Sequence, residues 1–175
     1  MAVASAAALS GCGSTGKSTW ERDNEARLEK ASDPVPAPPA FPRGASLIEL
    51  PVRANTAFRV YIDRATLAVT PDGVVRYVVV ARSRDVENVL FEGIKCASLE
   101  YRTYAFGRPD GTWGGRASEW RPVQRSLQPW QAMLSREYFC PQKNAIADAA
   151  EGVRALEQGG HPFSKGFSGD ALRGN

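Results

Sequence analysis

Apolar and polar side chains alternate through Phe58-Arg59-Val60-Tyr61-Ile62-Asp63, the period of a half-buried strand. Leu67-Ala68-Val69-Thr70 predicts a second, shorter strand. Thr70-Pro71-Asp72-Gly73 has proline at its second position and glycine at its fourth, which predicts a β-turn. The turn feeds Val74-Val75-Arg76-Tyr77-Val78-Val79-Val80-Ala81, the most β-prone run in the chain. Val75, Tyr77, Val79 and Ala81 share one face, while Val78 and Val80 make the other mostly apolar too. A strand with two apolar faces belongs at the centre of a sheet. Asn88-Val89-Leu90-Phe91-Glu92 predicts the next strand, and Gly93 a bulge or tight bend. Ile94 to Phe106 reads as one long extended stretch with an irregularity between Cys96 and Leu99. Pro109-Asp110-Gly111 is another turn.

Beyond Trp113 and Trp120 the period lengthens. Leu127, Trp130, Met133, Leu134 and Tyr138 fall on one helical face, with Ser126 as the expected N-cap. Pro129 fits only the first turn of that helix, and Pro141 stops it just after Cys140. A second amphipathic helix uses Ile146, Ala149, Ala150, Val153 and Leu156 and ends at Gly159-Gly160. Strands first and helices last predict an α+β domain: an antiparallel sheet of about five to six strands with one or two C-terminal helices packed on it. The expected domain is 45–158 and the expected disordered tail 159–175. Residues 13–33 are polar, and the proline-rich run from Pro34 to Pro42 is a stiff extended spacer of about 3 Å per residue. Residues 13–44 therefore read as a disordered, proline-rich spacer.

Composition narrows the class. Hydrophobic residues make up 43% of the 175-residue chain, enough for one packed core. A formal net charge of +3 is too small to argue for nucleic acid. No run of about 18 apolar residues predicts a transmembrane helix. The three cysteines divide into one plus two. Leu9-Ser10-Gly11-Cys12 has the form of the end of a bacterial lipoprotein signal: an apolar residue, two small ones, then a cysteine acylated after cleavage. On that reading 1–12 is a signal segment and a lipid on Cys12 anchors the chain to a membrane. Gly13 stands where an aspartate would hold a lipoprotein in the inner membrane, which favours the periplasmic side of the outer membrane. Cys96 and Cys140 remain as an even pair, and an even pair in an exported chain predicts a disulfide. It would close a loop of about 45 residues and contribute about 4 kcal/mol. The plainer alternative is a cytosolic chain with two buried free thiols.

A second motif overlaps the first. Gly11-Cys12-Gly13-Ser14-Thr15-Gly16-Lys17-Ser18 satisfies the P-loop pattern. That loop must leave a buried strand and open a helix, so that backbone N–H groups face the phosphates. The alanine-rich run before it is a poor central strand, and Trp20 to Lys30 has no apolar stripe to pack on a sheet. Nucleotide binding is the least supported reading.

Five segments carry a resemblance in order and spacing: Gly73-Val74-Val75-Arg76-Tyr77, Glu92-Gly93-Ile94-Lys95-Cys96, Tyr104-Ala105-Phe106-Gly107, Asp110-Gly111-Thr112-Trp113 and Glu137-Tyr138-Phe139-Cys140-Pro141. They resemble the cryptic-neisserial-protein-like (CNP-one-like) family of Gram-negative envelope proteins, over about residues 41–142. The resemblance implies export and a cysteine pair. It implies no reaction and no catalytic residue, and it leaves out the second helix and the tail.

Candidate chemistry is sparse. The single histidine, His161, lies outside the expected domain, so a Ser-His or Cys-His mechanism is not expected. Two separated cysteines do not make a zinc site, and no cofactor is implied. Glu92, Glu100, Asp110 and Glu119 are carboxylates of the type a glycosidase pairs, but they read more simply as surface charges, with Asp110 a turn former. Glu92 stands out because it precedes Gly93, where a regular strand breaks. Tyr101, Tyr104, Phe106, Trp113 and Trp120 interleave with Arg102, Arg108, Arg116 and Arg121. Tyr101, Tyr104, Trp113, Arg116 and Trp120 are the candidate ligand surface, suited to a glycan, an anionic lipid or a partner protein of the envelope. The plainer reading makes the aromatics core and pairs the arginines with acids. The expectation is a non-enzymatic, lipid-anchored envelope interaction module. A periplasmic hydrolase of cell-wall material working through carboxylates is the alternative, and it calls for a cleft with two converging acids near Glu92.

Overall fold

The computed structural model describes residues 18–19, 35–52 and 58–164. Cys12, Lys17, the expected signal segment 1–12 and the tail beyond Ser164 lie outside the described residues. The chain divides into two units, Met1–Pro34 and Val35–Asn175, and the second carries the fold.

Among the described residues eight strands form one antiparallel sheet: β1 (Leu47–Leu50), β2 (Arg59–Asp63), β3 (Ala68–Val69), β4 (Val74–Arg82), β5 (Glu87–Lys95), β6 (Glu100–Gly107), β7 (Trp113–Gly114) and β8 (Arg121–Pro122). The order across it is β1-β2-β4-β5-β6-β7, with β3 paired to β4 and β8 to β6. As its two apolar faces predict, β4 lies inside the sheet, between β2 and β5. Val75, Tyr77, Val79 and Ala81 join the larger core, and Val78 and Val80 join a second cluster with Val89, Phe91, Tyr104 and Ala105. Gly73 supplies the left-handed φ of 77° that closes the Thr70 turn.

Two expectations on β5 and β6 are corrected. Ile94 to Phe106 is not one strand but a hairpin, turning through Cys96–Leu99, with Leu99 at φ 53° and its N–H donating to the Cys96 carbonyl at 3.3 Å. The bulge does not fall at Gly93. The register slips between Phe91 and Glu92, which face Ala105 and Thr103, so Tyr104 on β6 is the extra residue. Gly93 stays in register between Arg76 and Arg102. Its lack of a side chain serves packing instead, because a Cβ there would lie 2.8 Å from the Tyr104 ring.

One face of the sheet is covered by helices. Helix α1 (Pro129–Met133) runs directly into a π-helical turn, Leu134–Phe139. Trp130, Met133, Leu134, Tyr138 and Phe139 pack on Val60, Ile62, Val75, Tyr77 and Ile94. Leu127 is 95% exposed and does not share that face. The reason is Pro129, which holds Gln128 in an extended conformation and starts the helix two residues after Leu127. Ser126 is likewise not the N-cap; its hydroxyl accepts the Gln128 N–H at 3.0 Å and donates to Gln131 Oε1 at 2.7 Å. Helix α2 (Ala149–Glu157) is capped by Asp148, which accepts the Glu151 N–H at 2.8 Å. It ends in a Schellman pair: Gly160 N–H to the Ala155 carbonyl and Gly159 N–H to that of Leu156, with Gly159 at φ 75°. Ile146 is buried but precedes this helix.

Both ends of the unit pack further than the sequence suggests. Phe41 stacks on Trp113 at 5.1 Å, and the Trp113 indole N–H donates to the Pro39 carbonyl at 2.7 Å. The end of the proline-rich run is thus part of the domain. After α2, His161 is 4% exposed, and its N–H and the Ser164 hydroxyl both donate to the Glu137 carbonyl. Residues 159–164 are accordingly packed chain. Cys96, in the hairpin turn, bonds to Cys140, just past the π-helical turn, with an S–S distance of 2.06 Å and 5.2 Å between Cα atoms. The predicted disulfide therefore links sheet to helix layer.

Candidate functional site

Gly93 organises the sheet face away from the helices. Because it has no side chain, the Tyr104 ring drops over it between two arginines, with the Arg76 and Arg102 guanidinium carbons 5.6 and 5.5 Å from the ring centroid. Trp120 meets Tyr104 edge-on at 6.3 Å. Lys95 Nζ lies 4.8 Å over the indole, with Arg102 at 6.0 Å. Arg102 also donates from Nε to the Ser118 carbonyl at 2.8 Å, which holds the chain before β8 against the sheet. The result is a ladder of three cations and two aromatic rings across β4, β5 and β6. Asp72 stands near it; the Thr70 hydroxyl bond holds its carboxyl below the usual range, with the charges of Arg76 and Lys95 adding to that. Trp120 Nε1 is buried and meets no acceptor among the described residues. Cation–aromatic contacts are worth about 0.5–1 kcal/mol each at exposed sites.

The five candidate surface residues do not form one patch. Tyr104 is 2% exposed and makes the floor of the ladder. Trp120 is half-buried beside it, and Arg116 is exposed. Trp113 packs between Phe41 and Phe91, with its N–H spent on Pro39. Tyr101 pairs with Ile94 and packs into the helix-side core, on the opposite face of the sheet. Arg76 and Lys95 are not among the sequence candidates, although Arg76 interrupts an otherwise apolar stretch of β4 and Lys95 ends β5.

Glu92 points the other way, into the core. It is 1% exposed and accepts four neutral donors. The Tyr77 hydroxyl and Trp130 Nε1 reach Oε2 at 3.1 and 3.0 Å; the Thr103 hydroxyl and Gln131 Nε2 reach Oε1 at 3.2 and 2.8 Å. Burial pushes its carboxyl up, against the downward pull of Trp130, Gln131, Tyr77 and Thr103. It also raises the Tyr77 hydroxyl well above its ordinary range. The carboxylate is a polar clamp between sheet and helix with every acceptor occupied. The solvent-lined cleft expected for a hydrolase is therefore not formed at Glu92. The other three acids sit apart from it. Glu100 accepts from the Ser98 hydroxyl at 2.7 Å. Asp110 accepts the Thr112 N–H and hydroxyl in its turn, which lower its carboxyl. Glu119 is exposed in the segment before β8. His161 is engaged structurally, with Nε2 3.0 Å from Glu151 Oε1 and Nδ1 accepting the Phe163 N–H.

Among the described residues no helix is long and apolar enough to cross a membrane. No curated protein and no solved structure matches the chain. A model of the CNP1-like family matches residues 26–157, well over half of the sequence. That span takes in the ladder, the Glu92 clamp, both bonded cysteines and the second helix, which the shorter resemblance left out. The chain belongs to the CNP1-like family.

Proposed function

We propose that this protein is a non-enzymatic cell-envelope interaction module, carried on the membrane by a lipid on Cys12 and meeting an anionic envelope partner, glycan or protein, with the cation–aromatic face of its sheet. The observation that carries the reading is the ladder of Arg76, Lys95 and Arg102 around Tyr104 and Trp120. Three cations fixed side by side on a sheet attract anions, and preorganisation lowers the entropy lost on binding. A disulfide between Cys96 and Cys140 supports an oxidising address, since such bonds persist outside the reducing cytosol. The proline-rich run before Phe41 suits a domain standing off a lipid anchor.

Two experiments test the two halves. Intact mass of protein taken from membranes is expected to show cleavage before Cys12, added acyl chains and the mass deficit of one disulfide. An unmodified, uncleaved chain in the soluble fraction overturns the anchor. For the surface, retention on peptidoglycan and on anionic vesicles is compared for wild type, Lys95→Ala and Arg76→Ala. Retention is expected to fall about tenfold with Lys95→Ala at low salt and to weaken as salt rises. Unchanged retention in both variants overturns the surface.

A further inference from the structure

A second site lies in the helix layer rather than on the open sheet face. The three non-glycine residues with left-handed backbone among the described residues are Leu99, Gln142 and Lys143, at φ 53°, 52° and 66°. All three line one groove of about 710 Å³, with Ser135, Arg136, Glu137 and Cys140. One wall is the π-helical turn Leu134–Phe139, a rare geometry that recurs at functional sites. The opposite wall is the tight turn after Cys140, closed by the Asn144 N–H on the Pro141 carbonyl at 3.0 Å. That turn places glutamine and lysine where glycine or asparagine would be unstrained. Held strain of this kind marks ligand sites when the long side chains are what the position requires.

The lining chemistry selects the occupant. The apolar part of the lining comes from Leu99, with the buried, disulfide-bonded Cys140 beside it. The Ser135 hydroxyl is already committed to the Ala132 carbonyl at 3.0 Å. The walls are a helical turn and a β-turn, which offer no strand edge to an extended peptide. The rim carries two exposed cations, Arg136 and Lys143, against one carboxylate, Glu137. We propose that this groove binds a single-chain anionic amphiphile, with its acyl chain along the apolar lining at Leu99 and its carboxylate at the exposed Arg136 and Lys143. The proposal does not rest on the cation–aromatic face and can hold or fail without it.

Dodecanoate, titrated below its critical micelle concentration into the oxidised full-length chain, is the probe, with dodecyltrimethylammonium as the cationic control. Saturable dodecanoate binding by calorimetry is expected, with the control at least tenfold weaker. Arg136→Ala combined with Lys143→Ala is expected to weaken dodecanoate binding at least tenfold. Lys143→Gly separates site from scaffold: it relieves the left-handed strain and removes a rim cation, so Tm is expected to rise about 2–5 °C while dodecanoate binding falls. No saturable binding by the folded protein, equal binding of both amphiphiles, or Lys143→Gly binding as tightly as wild type would each overturn the proposal.

Discussion

At the scale of single residues, the chain places one carboxylate where water does not reach and surrounds it with neutral donors. Four hydrogen bonds to Glu92 replace its hydration, yet burial dominates and its carboxyl rises above the ordinary 4.5. A carboxyl raised in the folded state contributes its full stability below the unfolded value and loses it as pH climbs through the folded one. Glu92→Gln removes that titration and sets an amide N–H₂ against at least one obligate donor, Trp130 Nε1 or its neighbours. We expect Glu92→Gln to lower stability by about 1–3 kcal/mol at acid pH, with the gap to wild type narrowing toward neutrality. Urea unfolding of both proteins at several values from about pH 4.5 to about pH 8 measures this; a gap that widens with pH would contradict it. Gly93→Ala is a second test at this scale. Its methyl would stand 2.8 Å from the buried Tyr104 ring, and a cost of about 1–3 kcal/mol is expected, with loss of the Arg–Tyr–Arg sandwich. Glu92 and Gly93 could both be singled out from sequence as a break in a strand. Their partners could not, because Trp130 and Gln131 arrive from a helix some forty residues on and Tyr104 from a bulge that no local pattern marks.

At the scale of elements, legibility followed the length of the pattern. The nine residues of β4 are nearly all apolar and β-prone and follow a strong turn, so its central place in the sheet is legible in the sequence. The two-residue strands β7 and β8 have no period to read, and pairing with β6 alone makes them strands. The helix face failed only at Leu127, where the periodicity crosses a proline that resets it. Helix α2 offers a test in which two element-level rules oppose each other. Gly152 lies inside the helix, where alanine would ordinarily stabilise by about 1 kcal/mol. A Cβ there would meet Leu67 Cδ2 at 2.5 Å and Ile146 Cδ1 at 2.6 Å, and both side chains are buried. Close packing outweighs propensity, so Gly152→Ala is expected to destabilise by about 1–2 kcal/mol in denaturant unfolding. A stabilised variant would show that Leu67 and Ile146 can move aside at little cost.

At the scale of the whole molecule, each layer is extended at its margin by chain that looks like linker in sequence, Pro39 and Phe41 on the sheet and His161 and Ser164 on the helices. Proline positions and glycine-flanked tails lack a periodic signal, so the Pro39 carbonyl bonded to Trp113 and the Glu137 carbonyl shared by His161 and Ser164 emerge only in three dimensions. The disulfide is the exception, legible by counting cysteines. It spans 44 residues, from the turn between β5 and β6 to the end of the π-helical turn, and so covers the whole second half of the sheet and the first helix. Both sulfurs are buried, so reductant reaches them only when the layers separate. Closing a loop of that length removes about 4 kcal/mol of chain entropy from the unfolded state, a large share of a small domain's stability. Replacing both cysteines by alanine should therefore leave the far-ultraviolet circular dichroism intact while lowering the unfolding free energy by about 3–4 kcal/mol. Wild type in reductant should match oxidised protein until denaturant opens the fold, then shift toward the double variant. If the double variant unfolds at the same denaturant midpoint as the oxidised protein, the bond contributes nothing, and packing of Trp130, Leu134 and Phe139 on the sheet must hold the layers unaided.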